Sequence, residues 1–491
     1  MTEKQASRIA WLEHQLFGVK SEKEDPNQAT LDLEGELGKP DPPLSEEDPA
    51  PEETNSKKEK RTRRTKAEIY NLDRLPKVIV AELIPEEVKQ NPEAYKRIGE
   101  DFHDELDYQP ASVQVARTIL PKFALKKNPT AKISQSPAPE CEVPKTMLTA
   151  AMATHLILDK HCDHLTHYRI AQRLKREFGI DVSDKTINSW VHLTANHLKP
   201  ISQAIGDELR SSCVLQIDET PIKYLSKGAG QALNGYLWVM RDPSTKACYY
   251  HWETGRSLEA LKTTLGYDLA TNTLAFKGTI QCDGYRVYNS LKARFSGIEL
   301  AGCHAHIRRK FIEDQSLKAH PWVVEVIGLI QELYKIERVL KKGKSPPDEV
   351  KVARQTYAKP ITEQLHTIFQ RELSQYRPQS NEGKALSYAL GQWSSFLQYL
   401  EDGALEIDNN GVENAIRPTK LNLKNCLFFG NASAGDNNAA LYTLIENCKA
   451  IGLNPRVYLE TAIKEINHSL PADLTPCKIQ QRLQNQAALA A

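Results

Sequence analysis

Several features that would place this chain in a familiar class are missing. No uninterrupted apolar run reaches the roughly 18 residues that a transmembrane helix needs, and the start, MTEKQASRIAWLEHQ, lacks the apolar core of a signal peptide. The formal net charge is only +1, so any nucleic-acid surface must be a local patch. We therefore expect no membrane partner and no chain-wide polyelectrolyte character.

Paired cysteines are missing as well. The nine cysteines are scattered along the chain without a CxxC pair. An odd count at wide spacing argues for free thiols in a reducing compartment and against a disulfide framework or a zinc ribbon. The expected location is a reducing cytosol.

The length of 491 residues is enough for about two to four domains. Changes in composition and pattern divide the chain into a short helix (1–24), a Pro- and acid-rich linker with a basic arm (25–66), a small β-rich module (67–140), a helical region (141–204), a first α/β part (205–303), a helical block (304–404), a second core part (405–470) and a tail (471–491).

Two segments are candidate nucleic-acid contacts. In the helical region, THYRIAQRLKREFGIDVSDKTINSWVHL predicts a helix, a break at Gly179 and a second helix that Ser183 caps. This pattern is typical of helix-turn-helix motifs, although most such helix pairs are only packing units. The run KKEKRTRRTK (57–66) is either a solvated charge run or a phosphate-binding arm.

The segment 213–303 predicts an α/β core with a mixed sheet. CVLQIDETPIKYL, GYLWVMRD and ACYYHWE predict three successive strands. Alternating helices and strands follow in SLEALKTTLG, GTIQCDG, YRVYNSLKARF and IELAGCH. The block 304–404 is helical in pattern almost throughout.

Three carboxylates attract attention within this core. Asp218 ends the apolar run CVLQI and Asp283 ends GTIQC, and strand ends in open α/β sheets are where ligand sites form. Taken alone, each Asp is better explained as the start of a turn or the cap of the next element. Glu413 has capping-box spacing from Asn410, in a helix that Pro418 is expected to keep short.

The spacing of the three acids favours a shared site. Asp218 and Asp283 are 65 residues apart, which suits two neighbouring strand ends, and Glu413 follows 130 residues later, beyond the helical block. Three carboxylates at one sheet rim would hold two Mg²⁺ ions, which prefer hard oxygen ligands. Two such ions activate an attacking oxygen and stabilise the leaving oxygen of a phosphodiester.

Long motifs in the same order resemble transposases of the insertion-sequence sixty-six family, which belong to the DDE class with an RNase H-like core. The motifs are DETPIKYL (218–225), QCDGYRVYNSL (281–291), AGCHAHIRRKF (301–311), LEIDNNGVENAIRP (405–418) and KNCLFFGNASAG (424–435). The resemblance implies a multi-domain α/β fold: an RNase H-like mixed-sheet catalytic core with a helical insertion, preceded by a small β-rich module and a helix-turn-helix region.

The resemblance also implies chemistry and partners. Asp218, Asp283 and Glu413 become the catalytic residues and the ligands of two Mg²⁺ or Mn²⁺ ions. The implied partners are the DNA of the element ends and of the target, a second copy of the chain on that DNA, and accessory proteins of the same element. The small module of the family usually binds zinc through paired cysteines, and none is present here, so no structural zinc is expected.

Cationic residues complete the set of predicted sites. Cys303, His304 and His306 invite a metal interpretation, but active-site or DNA contacts are preferred here, because cations beside a metal site offset phosphate charge. The predicted DNA contacts are His306, Arg308, Arg309, Lys310, Arg61, Arg63, Arg64 and Lys185.

Two other functions stay open. A protein derived from a transposase would bind DNA ends without cutting them, and the missing cysteines make that alternative relevant. A glycosidase-like hydrolase would use two working acids without Mg²⁺. The aromatic content of 7% weighs mildly against the aromatic-rich cleft of such a hydrolase.

Overall fold

The computed structural model describes residues 82–96, 98, 111–123 and 134–490. The chain divides into two units, Met1–Gln114 and Val115–Ala491. The predicted N-terminal helix, the linker and the basic arm with Arg61, Arg63 and Arg64 lie outside the described residues. Their structural predictions stay predictions.

The small module predicted at 67–140 shows little regular structure in its described parts. The first unit contains α1 (Glu86–Gln90) and a 3₁₀ turn at Pro92–Ala94. In the second unit, β1 (Lys122–Phe123) pairs antiparallel with β2 (Ser134–Gln135). Residues 111–119 are exposed and form no strand, so within the described residues the β-rich character predicted for 67–140 is limited to this short pair.

Three helices follow, and their ends confirm the predicted helix–Gly–helix pattern. They are α2 (Ala150–His161), α3 (His167–Phe178) and α4 (Asp184–Leu209). Helix α3 ends at Gly179, whose φ of +69° suits glycine, and the Ser183 hydroxyl accepts the Thr186 N–H at the start of α4. Helix α4 is much longer than the predicted second helix.

A mixed five-stranded sheet forms the centre of the second unit. Its strands are β3 (Val214–Tyr224), β4 (Leu233–Arg241), β5 (Cys248–Glu253), β8 (Gly278–Gln281) and β9 (Ile298–Ala301), and β6 (Tyr267–Asp268) and β7 (Thr273–Leu274) form a separate hairpin. The order is β5-β4-β3-β8-β9; β3, β4 and β5 are antiparallel, and β3, β8 and β9 are parallel. The predicted strands are confirmed, as are α5 (Leu258–Thr264) and α6 (Arg286–Arg294).

All of the regular secondary structure described between residues 304 and 401 is helical, as predicted. The helices are α7 (His304–Ile312), α8 (Gln315–Lys318), α9 (Pro321–Gly343), α10 (Pro347–Ala353), α11 (Lys359–Leu373), α12 (Asn381–Gly391), α13 (Trp393–Phe396) and α14 (Gln398–Glu401), with a π-helical turn at Arg354–Ala358. This helical insertion has its own apolar core, which includes Phe311, Trp322 and Phe369.

The chain then returns to the sheet in α15 (Asn410–Cys426), α16 (Ala432–Ala450), α17 (Pro455–Glu465), a 3₁₀ turn (Pro471–Leu474) and α18 (Pro476–Ala490). Side chains alternate along β4, so that Trp238 and Met240 pack with α4, while Leu237 and Val239 pack with α15. Helices thus cover both faces of the sheet. Within the described residues, no helix combines the length and apolar character needed to cross a bilayer.

The predicted stop of α15 before Pro418 is wrong. The helix continues for two more turns, with Val412, Ile416 and Thr419 buried on the sheet side. Pro418 removes one backbone donor, and the Thr419 hydroxyl donates to the Ile416 carbonyl at 2.7 Å beside the gap. Burial of this face outweighs the local cost of the proline, which sequence pattern alone overestimated.

Candidate active site

Two of the predicted acids are brought together by strand register. Gln216 on β3 pairs directly with Gln281 on the parallel strand β8. Asp218 and Asp283 each follow this pair by two residues, Asp218 still within β3 and Asp283 just beyond the end of β8, so both acids come after the last paired residues of the two neighbouring strands. The repeated pattern Gln-x-Asp was the sequence signal for this register, and the sequence analysis missed it.

Asp218 does not end its strand, which corrects the prediction. Strand β3 continues to Tyr224 because β4 pairs with it from Gln216 to Tyr224, whereas β8 ends at Gln281. Asp218 therefore lies just beyond the point where the parallel neighbour stops. Asp283 follows its strand as predicted, and its carboxylate accepts the Tyr285 N–H at 2.9 Å.

The surroundings of Asp218 disfavour its charged form. Burial raises the pKa of Asp218 well above its ordinary value, and the nearby carboxylates of Glu219, Asp283 and Glu413 raise it further. The Asp218 carboxylate accepts a hydrogen bond from the Glu219 N–H, at 2.8 Å. Several acids thus repel one another at this point of the sheet, a typical arrangement for a cation site.

Glu413 is not the capping residue that its spacing suggested. Asp408 performs the capping role instead, and its carboxylate accepts the backbone N–H of Asn410 at 3.0 Å. The Glu413 side chain points to α7, where Arg309 donates to Oε2 at 3.4 Å and His306 Nε2 lies 3.7 Å from Oε1. The capping-box interpretation is therefore wrong for Glu413.

Glu413 keeps unsatisfied capacity. Burial raises its pKa, and Arg309 acts in the opposite direction. Burial also lowers the pKa of His306 to about 4, with Arg309 adding to the lowering, so the imidazole is neutral at pH 7 and forms no ion pair. Glu413 Oε1 is buried and has no hydrogen-bond partner among the described residues. Such an oxygen is ready to accept a further cation or donor.

A buried polar network lies beneath the three acids. Gln216 Nε2 donates to Gln281 Oε1 at 3.0 Å, to Glu406 Oε2 at 2.8 Å and to the Asp408 carbonyl at 3.0 Å. Arg241 donates to Gln216 Oε1 at 2.7 Å. The network links both Asp-bearing strands to the segment that leads into Glu413. None of its four side chains (Gln216, Gln281, Arg241, Glu406) was predicted.

Helix α15 approaches this network very closely at Gly411. A Cβ atom there would lie 2.3 Å from Arg241 Nη1 and 2.6 Å from Gln216 Oε1, closer than real side chains allow. The glycine of NNGVE is therefore required for α15 to dock on the network, two residues before Glu413.

A fourth acid was also missed. Glu219 is buried, forms an ion pair with Arg256 and accepts the Tyr288 hydroxyl at 3.1 Å. It points to the opposite face of β3 from Asp218 because successive strand residues alternate. With these partners in place, Glu219 supports the strand and is not a free ligand.

The predicted cations of α7 divide by direction. Arg309 and His306 face Glu413, while Lys310 is exposed and lies 5.5 Å from the Tyr388 ring centroid, whose hydroxyl donates to the Asp283 carbonyl at 2.7 Å. Arg308 is half-buried. Lys185 is exposed on the first turn of α4, and the structure shows no contact between it and these acids.

His304 has a different role from its neighbours. It is fully buried and stacks on Phe396, with ring centroids 3.6 Å apart. Cys303 is also buried, and its sulfur accepts the Asn409 N–H at 3.4 Å. Both residues lie on a helix and its start, not on the extended segment that was expected. They serve packing.

The three predicted acids have the donor chemistry of a divalent-cation site but not its finished arrangement. Among residues 82–96, 98, 111–123 and 134–490, no three His, Cys, Asp or Glu side chains are arranged to hold an ion. The donors are nevertheless suitable, since the carboxylates of Asp218, Asp283 and Glu413 offer hard oxygens and Glu413 Oε1 is unsatisfied.

Comparison with known proteins adds an independent line. A family model described as "Transposase IS66 family" matches residues 145–437, and one described as "Transposase C of IS166 homeodomain" matches residues 6–80. The second match falls outside the described residues and away from the helix-turn-helix pattern of 165–197.

Two similar proteins come from Sinorhizobium fredii (strain NBRC 101917 / NGR234). Uncharacterized protein y4jD is 31% identical over 484 residues, which cover 94% of this chain and 90% of the relative. Uncharacterized protein y4qI is 29% identical over 388 residues, covering 76% and 70% respectively. The similarity to y4jD therefore extends over nearly the full length of both chains.

Proposed function

Because the chain belongs to the IS66 family of transposases, we propose that it cleaves DNA at the ends of an insertion sequence and joins those ends to target DNA. The observation that carries the proposal is the pairing of Gln216 with Gln281, two residues before Asp218 and Asp283, together with Asp283 and Glu413 lying close enough to raise the pKa of Asp218. The sheet order, three antiparallel strands followed by two parallel ones, supports an RNase H-like core of the DDE class.

In this proposal, Asp218, Asp283 and Glu413 hold two divalent cations, Mg²⁺ or Mn²⁺. When bound, these ions neutralise phosphate charge and promote deprotonation of the attacking oxygen. Arg309 supplies a further positive charge beside Glu413, and it would be released to a phosphate when Glu413 turns to a cation. Neutral His306 is positioned to accept or donate one hydrogen bond at the same place.

The chemistry consists of two transfers at phosphorus. Water attacks the phosphodiester at the element end, the bond from phosphorus to the 3′ oxygen breaks, and a 3′-hydroxyl and a 5′-phosphate result. The 3′-hydroxyl then attacks a target phosphodiester, forming one P–O bond as another breaks. In both steps the attacking oxygen loses a proton and the departing 3′ oxygen gains one.

DNA-end recognition is assigned to residues outside the acids. The homeodomain-type segment 6–80, which includes Arg61, Arg63 and Arg64, is one candidate surface for the terminal repeats. The pair α3 and α4, with Lys185, is the other. We further propose that two copies act together on DNA, and that accessory proteins of the element assist.

One observation favours a second candidate, a DNA-end-binding protein without cleavage activity. Glu413 is paired with Arg309, and the described acids are not arranged as a finished ion site. A cleavage and strand-joining assay separates the two candidates. It uses labelled DNA that carries the ends of the element, with Mg²⁺ or Mn²⁺, and compares the wild type with Glu413→Gln and the exposed control Glu259→Gln.

The transposase proposal expects metal-dependent products from the wild type and the control, and a loss of at least about 100-fold in Glu413→Gln, as for other electrostatic catalytic groups. Equal products from all three proteins would remove Glu413 from the mechanism. End binding without products, in the presence of the accessory proteins, would favour the binding protein.

A further inference from the structure

The loop after α15 carries a strained and exposed apolar turn. Leu427 has φ +58° and ψ −44°, and the Phe428 N–H donates to the Cys426 carbonyl at 2.6 Å. This is a γ-turn of the rare positive-φ kind, which a β-carbon makes costly. The turn exposes 69% of Leu427 and 43% of Phe428. Strain of this kind persists only where the surrounding structure holds it, and it concentrates at functional sites.

The surroundings hold this turn firmly. The Phe429 N–H donates to the Lys223 carbonyl at 2.8 Å, and the Leu225 N–H donates to the Phe429 carbonyl at 2.9 Å. The Phe429 ring is buried against Trp252, with centroids 5.3 Å apart. The turn is thus attached to the far end of β3, where Leu225 is also exposed. We call Leu225, Leu427 and Phe428 the apolar tip.

The two segments that build the apolar tip carry charge of one sign. The chain as a whole has a formal net charge of +1. The two segments that build the tip, 220–241 and 414–435, contain no Asp or Glu at all. They carry the exposed Lys223, Lys227 and Lys424. This separation of charge suits a polyanion, because each lysine that meets a phosphate releases a condensed counterion.

The apolar tip lies at a defined distance from the candidate active site. Helix α15 carries Glu413 in its first turn and reaches the tip at Leu427. At 1.5 Å per residue, the rise between these two residues is about 20 Å. A duplex rises 3.4 Å per base pair, so the tip is about six base pairs away along DNA that follows the helix.

We propose that the apolar tip and its three lysines form a second contact on the DNA duplex that enters the active site. Lys223, Lys227 and Lys424 bind phosphates, and Leu427 and Phe428 pack against base edges in the minor groove, where apolar side chains can unstack a base step. The nature of the partner rests on the proposed function. The surface itself rests on exposure, strain and charge.

Salt dependence of binding tests the lysines. Affinity of the full-length wild-type chain for a fluorescent 30-base-pair duplex is measured in EDTA, without cleavage, at several salt concentrations. The triple change Lys223→Gln, Lys227→Gln and Lys424→Gln is expected to reduce the slope of log affinity against log salt by about 0.9 per lost contact, or about 2.7 in total. The matched control changes three exposed lysines elsewhere: Lys359, Lys464 and Lys478 to Gln.

An equal slope in the triple variant and the control would overturn the contact. Phe428→Ala tests the tip on duplexes with single 2-aminopurine substitutions. The wild type is expected to increase fluorescence at one step and Phe428→Ala to abolish the increase. No wild-type increase at any step would overturn base contact, and altered self-association of Phe428→Ala with unchanged DNA binding would assign the tip to a protein partner.

Failure of the second DNA contact and failure of the proposed function give different results. DNA cleavage with an unchanged salt slope keeps the transposase and rejects the second contact. A reduced slope in a protein that never cleaves keeps the contact and favours the binding protein.

Discussion

The two strand-borne acids and the helix-borne acid of the candidate site are held by different means. Asp218 lies within β3 and Asp283 follows β8, so the backbone pairing of these two strands brings both acids to the same side of the sheet. Glu413 follows the helical insertion, and its helix is placed by side chains: Gln216 binds the Asp408 carbonyl, and Tyr334 of the insertion donates to the Asp408 carboxylate at 2.7 Å. Strand register tolerates most single substitutions. An arrangement held by a few buried polar contacts is changed when one of those side chains is replaced.

The insertion therefore has a structural part in the site. Arg354, only 2% exposed, pairs with Glu337 and donates to the carbonyls of Tyr399, Asp402 and Leu405. These carbonyls belong to the segment that leads from the insertion back to the sheet. Damage to the insertion should reach Glu413, and through Tyr388 also the Asp283 carbonyl, while leaving Asp218 within β3 in place, and the following changes test that difference.

The largest effect is expected from Arg354→Met. The change leaves Glu337 and three carbonyls without their buried partner, at a cost of about 3–5 kcal/mol. Hydrogen exchange should increase through residues 321–405 and into 406–413, with residues 214–241 still protected. Strand joining should fall together with the protection of 406–413.

Arg371→Met is the control, because Arg371 is 56% exposed on α11 and pairs only with its neighbour Glu372. It should leave exchange unchanged. Equal loss of protection in the sheet and the insertion after Arg354→Met would show that both halves of the site depend on the same contacts.

Low pH should reduce the stability of the part of the protein around the sheet through His161, without involving Glu413. His161 on α2 contacts Asn438 on α16 at 3.1 Å, and burial lowers its pKa from 6.5 to about 3. Below pH 6.5 the unfolded chain binds a proton that folded His161 does not, so stability is lost as pH falls. Between pH 7 and 5 the loss is about 2 kcal/mol. The midpoint of urea unfolding measures it.

His161→Gln should flatten this pH dependence. A reduced slope should remain in that variant, because burial also lowers the pKa values of His167 and His306 to about 4 and that of His304 well below its ordinary value. The exposed control Tyr168→Phe should keep the wild-type slope. A wild-type slope in His161→Gln would mean that this imidazole is charged in the folded protein.

Sequence patterns predicted most of the elements but less of their assembly. The strands of the core and the break at Gly179 were predicted because alternation and glycine act locally. Sheet order depends on pairing between distant segments, and no local pattern specifies it. Pro418 misled the prediction because the burial of Val412, Ile416 and Thr419 overrode a local preference.

The candidate site shows the same difference between what local patterns indicate and what contacts between distant segments decide. Asp218, Asp283 and Glu413 were found by spacing and resemblance, whereas Gln216, Arg241 and Glu406 make contacts across 25 to 192 residues that only the folded chain reveals. The repeat of Gln-x-Asp was visible in the sequence. It gains meaning once β3 and β8 are known to be parallel neighbours, since the same repeat on distant strands would bring nothing together.

The smallest effect, and the most specific, is expected from Tyr334→Phe. The change removes one hydroxyl that donates to Asp408 and costs about 1–2 kcal/mol, since the acceptor is a carboxylate. The ring remains, so the core of the insertion keeps its packing. Strand joining should slow, and exchange should increase at 406–413 alone. Tyr357→Phe, at an exposed position in the same insertion, supplies the comparison. If the two variants join DNA at equal rates, the Tyr334 hydroxyl has no part in positioning Asp408, and Arg354 is left as the contact through which the insertion holds the segment before Glu413.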